Sequence, residues 1–558
     1  MDLLTKNKVN STPLTPLTFL DRAAIVYGDS TSILYGDSIS YTWSQTHRRC
    51  LQLASSLSSL GIKKGHVVSV LSPSTPAMYE LQFAVPMSGA ILNNLNFRLD
   101  DKSLSVILIH SESKLVFVDI LSLSLACNAL DLFPENMQRP ELVLIEDDTL
   151  APHQIHALPN NTYEGLIAKG DPNFKWIRPD SEWDPITLTY TSGTTSAPKG
   201  VVHCHRAAFI VSLDSLVDWS VPNQPVYLWT LQMFHSNGWS YPWGMAVVGG
   251  TNVCTRKLDA PTIYRLIETH GVTHMCAAPV VLNILLNFNK AEPLKNTVNV
   301  LTGGSSPPAA ILTRAEELGF NISHGFGMTE LIGVIISCAW KRGWDRLSAV
   351  EKARLKARQG VRKAGVAEVD VVGGNGESVK RDGVTVGEIV VKGACVMLGY
   401  LKDEKATAQC LKDGWFYTGD VAVMHEDGYL EIKDRIKDVI ISGGENLSSV
   451  EVEAVLYMHP AVKEAAVVAR PDEFWGETPC AFVSLKDELK ETPTEKEIKE
   501  FCGEKLPRFM IPKTIVFKDE LPKTSTGKIQ KHVLRKVAGE MGSLSLSLPP
   551  PQLLPSRI

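Results

Sequence analysis

The 558-residue sequence contains ten cysteines but no C-x-x-C pair, and the two closest are Cys395 and Cys410. Disulfide frameworks and cysteine zinc sites show short, regular spacings between their cysteines. Because such spacings are absent, the sequence predicts neither a disulfide framework nor a cysteine zinc site. The pattern is typical of buried single thiols in a reducing compartment.

Long apolar segments are also missing. The longest stretch without a charged residue, 219–255, is interrupted by prolines, Asn, Gln and His. A membrane-spanning helix needs about 20 predominantly apolar residues, so no span is predicted. The first 16 residues contain Lys6 and Lys8 but no apolar segment of the signal-peptide kind, and we expect no secretory signal.

The chain has no strong excess of either charge. Its formal net charge of -5 predicts neither a nucleic-acid partner nor a membrane partner. One local exception is 341–363, with nine Lys and Arg. We interpret it as a solvated helix face, with Leu347, Val350 and Leu355 pointing inward, rather than as a binding patch.

A chain of this length exceeds one ordinary core, so two or more domains are expected. From about 40 to 330, short apolar runs alternate with amphipathic segments. The runs 67–71, 115–118, 272–278 and 298–302 are predicted strands, and 75–90, 102–110 and 262–270 are predicted helices. This alternation predicts an α/β region with a mostly parallel sheet.

The pattern changes at about residue 365. Short β-like runs such as 387–391 and 427–432 are bounded by Gly and Asp, and they indicate a β-rich subdomain. Beyond 434, helices 449–458 and 494–505 and strands 465–469 and 480–485 indicate a smaller α+β unit. The predicted organisation is α/β, with a large N-terminal domain (1–433), a small C-terminal domain (434–542) and a disordered low-complexity tail (543–558).

A loop at 191–200 has the composition of a phosphate site. Small hydroxyl residues surround a glycine and are followed by a lysine: Thr191, Ser192, Gly193, Thr194, Thr195 and Lys199. Such residues let backbone N–H groups approach phosphate oxygens, and the lysine adds a compact positive charge. The spacing differs from the P-loop of nucleoside triphosphatases. Composition alone also fits a solvated turn.

Six stretches occur in a fixed order, and together they carry a family resemblance. They are 190–200, Gly325-Phe-Gly-Met-Thr-Glu330, Tyr417-Thr-Gly-Asp420, Lys433-Asp-Arg-Ile-Lys-Asp438, Ser442-Gly-Gly-Glu-Asn446 and Pro522-Lys-Thr-Ser-Thr-Gly-Lys528. Over roughly 15–540 the chain resembles the adenylate-forming superfamily of acyl-CoA synthetases, carrier-protein adenylation domains and luciferases. Segments 233–239 and 438–446 look like the plant acyl-activating enzymes, relatives of 4-coumarate–CoA ligase acting on cinnamate, benzoate or short branched-chain acids.

The resemblance implies an ATP site with Mg²⁺. Residues 191–199 would hold the β- and γ-phosphates, Glu330 and Thr194 the metal, and Thr329 would lie beside the α-phosphate. Gly325 and Phe326 would also line the nucleotide site. Asp420 would accept hydrogen bonds from the ribose, with Arg435 as a further donor. Taken singly, these residues also fit a helix cap, an Asx turn or a surface ion pair.

The same resemblance implies a reaction in two steps. Lys528 would contact the α-phosphate and the attacking carboxylate. Lys437 would be the hinge about which the small, mobile C-terminal domain turns and so withdraws Lys528. Ser442, Gly443, Gly444 and Glu445 would then line the pantetheine tunnel of coenzyme A. His235 corresponds to a gating residue, although a histidine between Phe234 and Ser236 also fits a core position.

The resemblance also implies an acyl pocket, which would be lined by Asn237, Trp239, Gly303, Gly304, Ser305, Leu331 and Ile332. The bulk of Trp239, Leu331 and Ile332 indicates a short, apolar pocket that disfavours long chains. Since a methylene there is worth only about 1–3 kcal/mol, small aromatic and short branched acids both remain open.

The predicted function is an AMP-forming acid–CoA ligase using ATP, Mg²⁺ and coenzyme A on a small carboxylic acid. Alternatives are a luciferase-type oxidative enzyme and an adenylation enzyme serving a carrier protein; we expect no carrier domain, because none follows Met541. The ending Ser556-Arg-Ile558 is similar to the peroxisomal Ser-Lys-Leu address. It predicts a peroxisomal import receptor as partner, with the cytosol as the alternative location, and we expect a monomer or weak homodimer.

Overall fold

The computed structural model describes residues 7, 9–37, 39–147, 159–191, 198–288, 292–303, 309–443, 445–486, 491–524 and 527–544. Several predicted site residues and the predicted peroxisomal ending lie outside them: Ser192, Gly193, Thr194, Thr195, Gly304, Ser305, Gly444 and 556–558. The Glu445 side chain also lies outside the described part.

Right-handed α-helices cover sixteen segments of the described residues. They are Leu17–Val26, Trp43–Ser59, Pro76–Met87, Asp101–Ser111, Leu123–Asp131, Tyr163–Lys169, His205–Asp218, Tyr241–Val248, Ala260–His270, Pro279–Leu286, Ala309–Glu317, Ala349–Lys356, Glu404–Cys410, Ser449–Tyr457, Glu495–Gly503 and Lys531–Glu540. Short 3₁₀ turns lie at Ile120–Ser122, Thr329–Leu331, Arg342–Arg346 and Arg508–Met510.

Local sequence explains where several helices begin and end. Thr42 and Gln45 form a reciprocal capping box at Trp43–Ser59. Asp259 caps Ala260–His270, with a proline in its first turn and Gly271 in the left-handed conformation after its end. Those are the residue types that satisfy the unpaired backbone groups of helix ends.

The strands of the first half of the chain are β1 (Thr31–Tyr35), β2 (Ile39–Thr42), β3 (Val67–Leu71), β4 (Ile91–Leu95), β5 (Leu115–Asp119), β6 (Glu141–Ile145), β7 (Asn161–Thr162), β8 (Pro185–Tyr190), β9 (Gly200–Cys204), β10 (Val226–Leu228), β11 (Thr251–Cys254) and β12 (His274–Ala277).

The later strands are β13 (Val298–Thr302), β14 (Phe320–Met328), β15 (Gly333–Ser337), β16 (Val361–Arg362), β17 (Glu368–Val372), β18 (Val386–Lys392), β19 (Gly399–Tyr400), β20 (Leu411–Lys412), β21 (Trp415–Met424), β22 (Leu430–Arg435), β23 (Ile440–Ser442), β24 (Glu445–Leu447), β25 (Val462–Asp472), β26 (Gly476–Leu485) and β27 (Thr514–Phe517).

Two large sheets form the first part of the molecule. One has the order β16-β15-β14-β13-β12-β10-β11-β1-β2, and the other β19-β9-β8-β4-β3-β5-β6-β7. The run from β14 to β1 and the run from β8 to β7 are parallel. Helices cover both, and one hydrophobic cluster from Leu17 to Leu430 fills the space among them. The predicted α/β class with mostly parallel sheets is confirmed.

Two smaller sheets follow. β17-β18-β21-β20, with β22 on β21, is antiparallel throughout. The C-terminal sheet has the order β24-β23-β26-β25, with β27 paired to β26. The hydrophobic core beside it, from Ile440 to Ile515, is a separate cluster. Strand β22 ends at Arg435, so the predicted domain limit at 433/434 falls within that strand.

Two details differ from the sequence-based predictions. The strand expected at 427–432 begins at Leu430, because Gly428 adopts a φ of 83° in a turn. In the basic segment Val350 is 79% exposed, so its predicted inward orientation is wrong. The helix begins only at Ala349, after a Ser348–Glu351 capping box, which puts Val350 in its first, solvated turn.

The ten cysteines are free thiols, seven of them buried. The described residues contain no helix long and apolar enough to cross a bilayer, and within them no cluster of three or more His, Cys, Asp or Glu is arranged to hold a metal.

Candidate active site

The two ends of the predicted phosphate loop lie on an antiparallel hairpin. Strands β8 and β9 pair up to Tyr190 and Gly200, and the Thr191 N–H donates to the Lys199 carbonyl at 3.0 Å. This places the start of the loop at the carboxyl end of β8, where open α/β sheets bind ligands. The Lys199 ammonium lies 4.7 Å from the centroid of the Tyr400 ring, a cation–π distance.

Tyr400 connects this lysine to the predicted metal ligand. Its hydroxyl donates to Glu330 Oε1 at 2.8 Å, and the Glu330 side chain is buried. Burial, with the adjacent Glu330 carboxylate, raises the pKa of Tyr400, so the hydroxyl stays a donor. A single buried carboxylate fits Mg²⁺, which usually takes one or two protein carboxylates and completes its shell with phosphates and water.

The turn that carries Thr329 and Glu330 is tightly held. His203 Nε2 donates to the Thr329 carbonyl at 2.7 Å, and burial lowers the pKa of His203 to about 4, so the ring is neutral. A Cβ on Gly327 would lie 1.8 Å from the Gly333 carbonyl oxygen. Only glycine permits this approach between β14 and β15.

Asp420 and Arg435 face each other across β21 and β22. They are register partners, and Arg435 Nε lies 3.3 Å from Asp420 Oδ1. Burial raises the pKa of Asp420, while Arg435 and Lys528 act against the rise. A buried carboxylate with one cation beside it retains acceptor capacity for a ligand's hydroxyl groups.

The C-terminal lysine reaches this cluster. Lys528 follows a turn in which the Thr524 N–H donates to the Lys528 carbonyl at 2.6 Å. A Cβ on Gly527, whose φ is 82°, would lie 2.6 Å from Val280 Cγ1, so this turn packs closely on helix Pro279–Leu286. Burial and Arg435 lower the pKa of Lys528 to about 8, although Asp420 and Glu330 raise it.

His235 lies near the same ammonium. Burial, together with the positive charge of Lys528, lowers the pKa of His235 to about 3. The ring is therefore neutral at physiological pH. It can act as a steric gate or as a hydrogen-bonding group.

After His235 the chain makes a left-handed turn, Ser236–Trp239, continued by Ser240. Five consecutive φ values are positive, from 44° at Ser236 to 66° at Ser240. This conformation costs an L-residue roughly 1–2 kcal/mol, so the four non-glycine residues need compensating contacts. The Ser240 hydroxyl supplies one by donating to the Ile332 carbonyl at 3.3 Å.

The Trp239 indole lies among glycines at the ends of the central strands. A Cβ on Gly303 would lie 3.4 Å from Trp239 Cη2 and 2.9 Å from the Gly325 carbonyl oxygen. A Cβ on Gly333 would lie 3.1 Å from Trp239 Cα. Gly303 and Trp239, predicted for the acyl pocket, and Gly325, predicted for the nucleotide site, are thus neighbours.

Leu331 and Ile332 are buried beside this turn. Ile332 has a φ of 55°, an unusual conformation for a β-branched residue. Such strain persists only where the surroundings fix the backbone, and it concentrates at functional sites.

Asn237, predicted as a pocket residue, uses both ends of its amide within the protein. Its Oδ1 accepts from Thr189 Oγ1 at 2.8 Å, and its Nδ2 donates to Gln82 Oε1 at 3.3 Å. It is 1% exposed.

The predicted pantetheine residues Ser442 and Gly443 lie on the C-terminal sheet. The Gly443 N–H donates to the Trp475 carbonyl at 2.8 Å, and a Cβ on Gly443 would lie 2.5 Å from Trp475 Cε3. With a φ of 61°, this position requires glycine for both reasons.

The predicted hinge, Lys437, lies between β22 and β23. Arg535 donates to the Lys437 carbonyl at 3.3 Å and pairs with Asp438. Burial and the neighbouring Arg435 and Arg535 lower the pKa of Lys437.

The structure thus brings Lys199, Glu330, Asp420, Arg435 and Lys528 to one cluster, whereas Ser442 and Gly443 stand beside Trp475. Three contributors had no signal in the sequence: Tyr400, His203 and Gln82. They are separated from their partners by 70, 126 and 155 residues, and only the tertiary fold brings such positions together.

Comparison with known families covers most of the chain. The AMP-binding enzyme family matches 19–401, and its C-terminal domain family, described as AMP-binding enzyme C-terminal domain, matches 451–528. Among solved structures, the anthranilate–CoA ligase AuaEII in complex with anthranoyl-AMP has a TM-score of 0.84 at 24% identity, covering 96% of this chain and 99% of that one. At that identity the likeness shows the fold.

Curated relatives are much closer. The 2-methylpropanoate–CoA ligase CCL4 of Humulus lupulus is 63% identical over 547 residues, or 97% of this chain and 98% of that protein. The probable acyl-activating enzyme 5, peroxisomal, of Arabidopsis thaliana is 62% identical over 543 residues, or 96% of this chain and 98% of that protein. The chain therefore belongs to the AMP-binding enzyme family, in the adenylate-forming superfamily, and is an AMP-forming acid–CoA ligase that uses ATP and coenzyme A.

Proposed function

We propose that this ligase activates a small carboxylic acid, with short branched acids such as 2-methylpropanoate preferred. The observation that carries the proposal is the Trp239 indole, which reaches toward Gly303 at the ends of the central strands. A bulky ring there leaves room for a few carbons. The name of the Humulus lupulus relative, which acts on 2-methylpropanoate, supports the same class.

In the first step a carboxylate oxygen of the acid attacks the α-phosphorus of ATP, the bond to the bridging β-phosphate oxygen breaks, and pyrophosphate leaves. Two anions must approach, so cations and donors have to be fixed where charge develops. The Lys528 ammonium is proposed to lie between the carboxylate and the α-phosphate, with Thr329 beside it.

The remaining nucleotide contacts are assigned in the same way. The loop from Thr191 to Lys199, including Ser192, Gly193, Thr194 and Thr195, binds the β- and γ-phosphates, and Gly325 and Phe326 line the nucleotide site. Asp420 accepts hydrogen bonds from both ribose hydroxyls, and Arg435 donates a further hydrogen bond to the ribose or the phosphate. Glu330 and Thr194 would hold Mg²⁺, which would neutralise phosphate charge; Tyr400 orients the Glu330 carboxylate by its hydrogen bond.

In the second step the CoA thiol attacks the acyl carbon and AMP leaves. Rotation about Lys437 withdraws Lys528 and brings Ser442, Gly443, Gly444 and Glu445 to the acyl-adenylate. His235, neutral by its low pKa, gates the approach of the thiol. The domains that move are 1–433 and 434–542, with the tail 543–558 outside them.

We further assign the enzyme to the peroxisome, carried by an import receptor that reads Ser556-Arg-Ile558, and we expect a monomer or weak homodimer. A relative named peroxisomal at 62% identity supports the location. A fluorescent fusion that preserves the C-terminus should mark peroxisomes, and a version ending before Ser556 should remain cytosolic.

The test of the activity is AMP release from ATP and CoA across benzoate, cinnamate, 4-coumarate, 2-methylpropanoate, 2-methylbutyrate, hexanoate and palmitate. The highest kcat/KM is expected for a short branched acid, and palmitate should be inactive. Turnover that increases with chain length to palmitate would contradict the proposed substrate class.

A further inference from the structure

We propose that Asn237 and Gln82 are positioning residues for acid selection: they hold the left-handed turn that directs Trp239 into the acyl pocket. The proposal deepens the proposed function and rests on it. The predicted role of Asn237 changes accordingly: it does not contact the acid, but fixes the Trp239 indole, which forms the wall that the acid contacts.

The first step is the strain of the turn. Residues 236–240 all have positive φ, and only Gly238 among them is free of the steric cost. A tryptophan side chain has two rotatable bonds, so the backbone at Trp239 largely decides where the indole lies. Whatever holds the turn therefore holds the indole.

The second step is the polar relay that holds it. Thr189, on β8 just before the phosphate loop, donates to Asn237, and Asn237 donates to Gln82 on helix Pro76–Met87. Asn94 Nδ2 of β4 also donates to Gln82 Oε1, at 3.0 Å. Gln82 has no exposed surface, and breaking a buried relay leaves unpaired groups at high cost.

The third step is the support on the opposite side. Ser240 donates to the carbonyl of Ile332, which is itself in the left-handed region, and Ser212 Oγ donates to the Ser240 carbonyl at 3.2 Å. Gly333 follows directly and packs on Trp239 Cα. The turn is thus fixed at both ends.

The consequence concerns selectivity. With the relay intact, the indole tip stays opposite Gly303, and the acid's alkyl group must fit the space that remains. Without it, the indole moves, small acids lose contact and larger acids gain room. The nucleotide contacts of Asp420 and Arg435 lie on other strands and are unaffected.

The experiment measures kcat/KM for 2-methylpropanoate and for hexanoate in the full-length enzyme. The acid ratio is kcat/KM for 2-methylpropanoate divided by kcat/KM for hexanoate. Asn237→Ala and Gln82→Met are each expected to lower this ratio about tenfold, within the discrimination that a small apolar difference can provide. The KM for ATP should stay within about twofold in both variants. Trp239→Ala, which removes the wall itself, should shift the ratio at least as far in the same direction.

Asn93→Ala is the matched control. Asn93 is a buried asparagine on β4, next to Asn94, but its Nδ2 donates to Ser69 at 2.8 Å. This variant should lower the melting temperature and leave the acid ratio unchanged. If Asn237→Ala fails to fold, Thr189→Val decides, because it keeps the shape of the buried side chain and removes only the hydroxyl that donates to Asn237.

Two results in an active enzyme would overturn the proposal. One is an unchanged ratio in both relay variants; the other is an equal loss for all acids, which is what a merely structural role predicts. An unmodified enzyme that releases AMP with no acid would instead show that the proposed function itself had failed, and the proposal with it.

Discussion

The proposed acyl wall around Trp239 and the turn that carries Lys528 are built differently. Asn237 and Trp239 are buried, and their turn is tied to β8, to a helix and to Ile332. The turn of Lys528 is closed by hydrogen bonds among Thr524, Gly527 and Lys528 themselves, with Gly527 packed on Val280. We therefore expect selectivity to reside in the tightly tied core, and the proposed catalytic charge to be carried on a segment held mainly by its own local bonds.

The largest expected effect comes from removing that charge. Lys528→Ala should reduce adenylation, measured as acid-dependent pyrophosphate exchange, by about 10²–10³-fold, the magnitude seen when a transition-state donor is lost. Thioester formation from supplied acyl-adenylate and CoA should persist, because in the proposed mechanism Lys528 has left the site before the second step.

Lys523→Ala is the control for this prediction. Lys523 lies in the same segment but pairs with Glu464 at 2.8 Å, so both half-reactions should continue. Equal loss of the two steps in Lys528→Ala would contradict the division between wall and turn.

Gly527→Ala should have the next largest effect. The added methyl would meet Val280 and would require an alanine at a φ of 82°, so the adenylation arrangement is disfavoured. We expect about a tenfold loss of pyrophosphate exchange, or about 1.4 kcal/mol, with the second half-reaction unchanged.

Gly539→Ala serves as its counterpart, because nothing lies within 4 Å of that position and alanine favours a helix. It should leave both steps unchanged. If Gly527→Ala slows both steps equally, the contact with Val280 is not specific to adenylation.

The pH dependence of the rate distinguishes the turn that carries Lys528, which titrates, from the wall around Trp239, which is uncharged. Lys528 is protonated, and so effective, below its pKa of about 8. The kcat/KM for ATP should therefore fall above pH 8, approaching tenfold per pH unit, since this constant reports the free enzyme. Bound triphosphate favours the ammonium, so the break in kcat should appear at higher pH.

Lys528→Arg should keep its charge and lose this alkaline limb, at a lower overall rate. The acid ratio, set by the uncharged wall, should not change across the same range. An identical alkaline limb in the arginine variant would mean that another group titrates.

The smallest expected effect is at Tyr400. Tyr400→Phe removes one hydrogen bond to the Glu330 carboxylate, worth about 1 kcal/mol, and should raise the Mg²⁺ concentration needed for half-maximal rate about fivefold. Tyr429→Phe is matched, because that hydroxyl donates to the Ala339 carbonyl at 2.5 Å on another face. An equal response in the two variants would remove the role given to Tyr400.

Local pattern was enough for many elements of the fold. Residues 67–71 and 298–302 form strands with the predicted bounds, because short runs rich in valine and leucine favour buried parallel strands. Errors occurred at the ends of elements. At 427–432 a glycine turn delays the strand, and at Val350 a cap sets the helix phase.

For the site, motifs identified residues whose chemistry is carried by short stretches, such as Thr329 with Glu330 or Asp420 with Gly419. They could not identify Tyr400 or Gln82, whose partners are far away in sequence. For Asn237 the motif found the residue, and the contacts with Thr189 and Gln82 indicate a different role.

The sequence by itself determined the family, the α/β class and the order of the reacting groups, because glycines, hydroxyl residues and charges at set spacings constrain the backbone locally. Only the tertiary structure decided where Lys528 meets Asp420, which tyrosine orients Glu330, and what supports Trp239. Those relations depend on packing between strands and helices far apart in the chain, and on a strained turn that is stable only inside that packing.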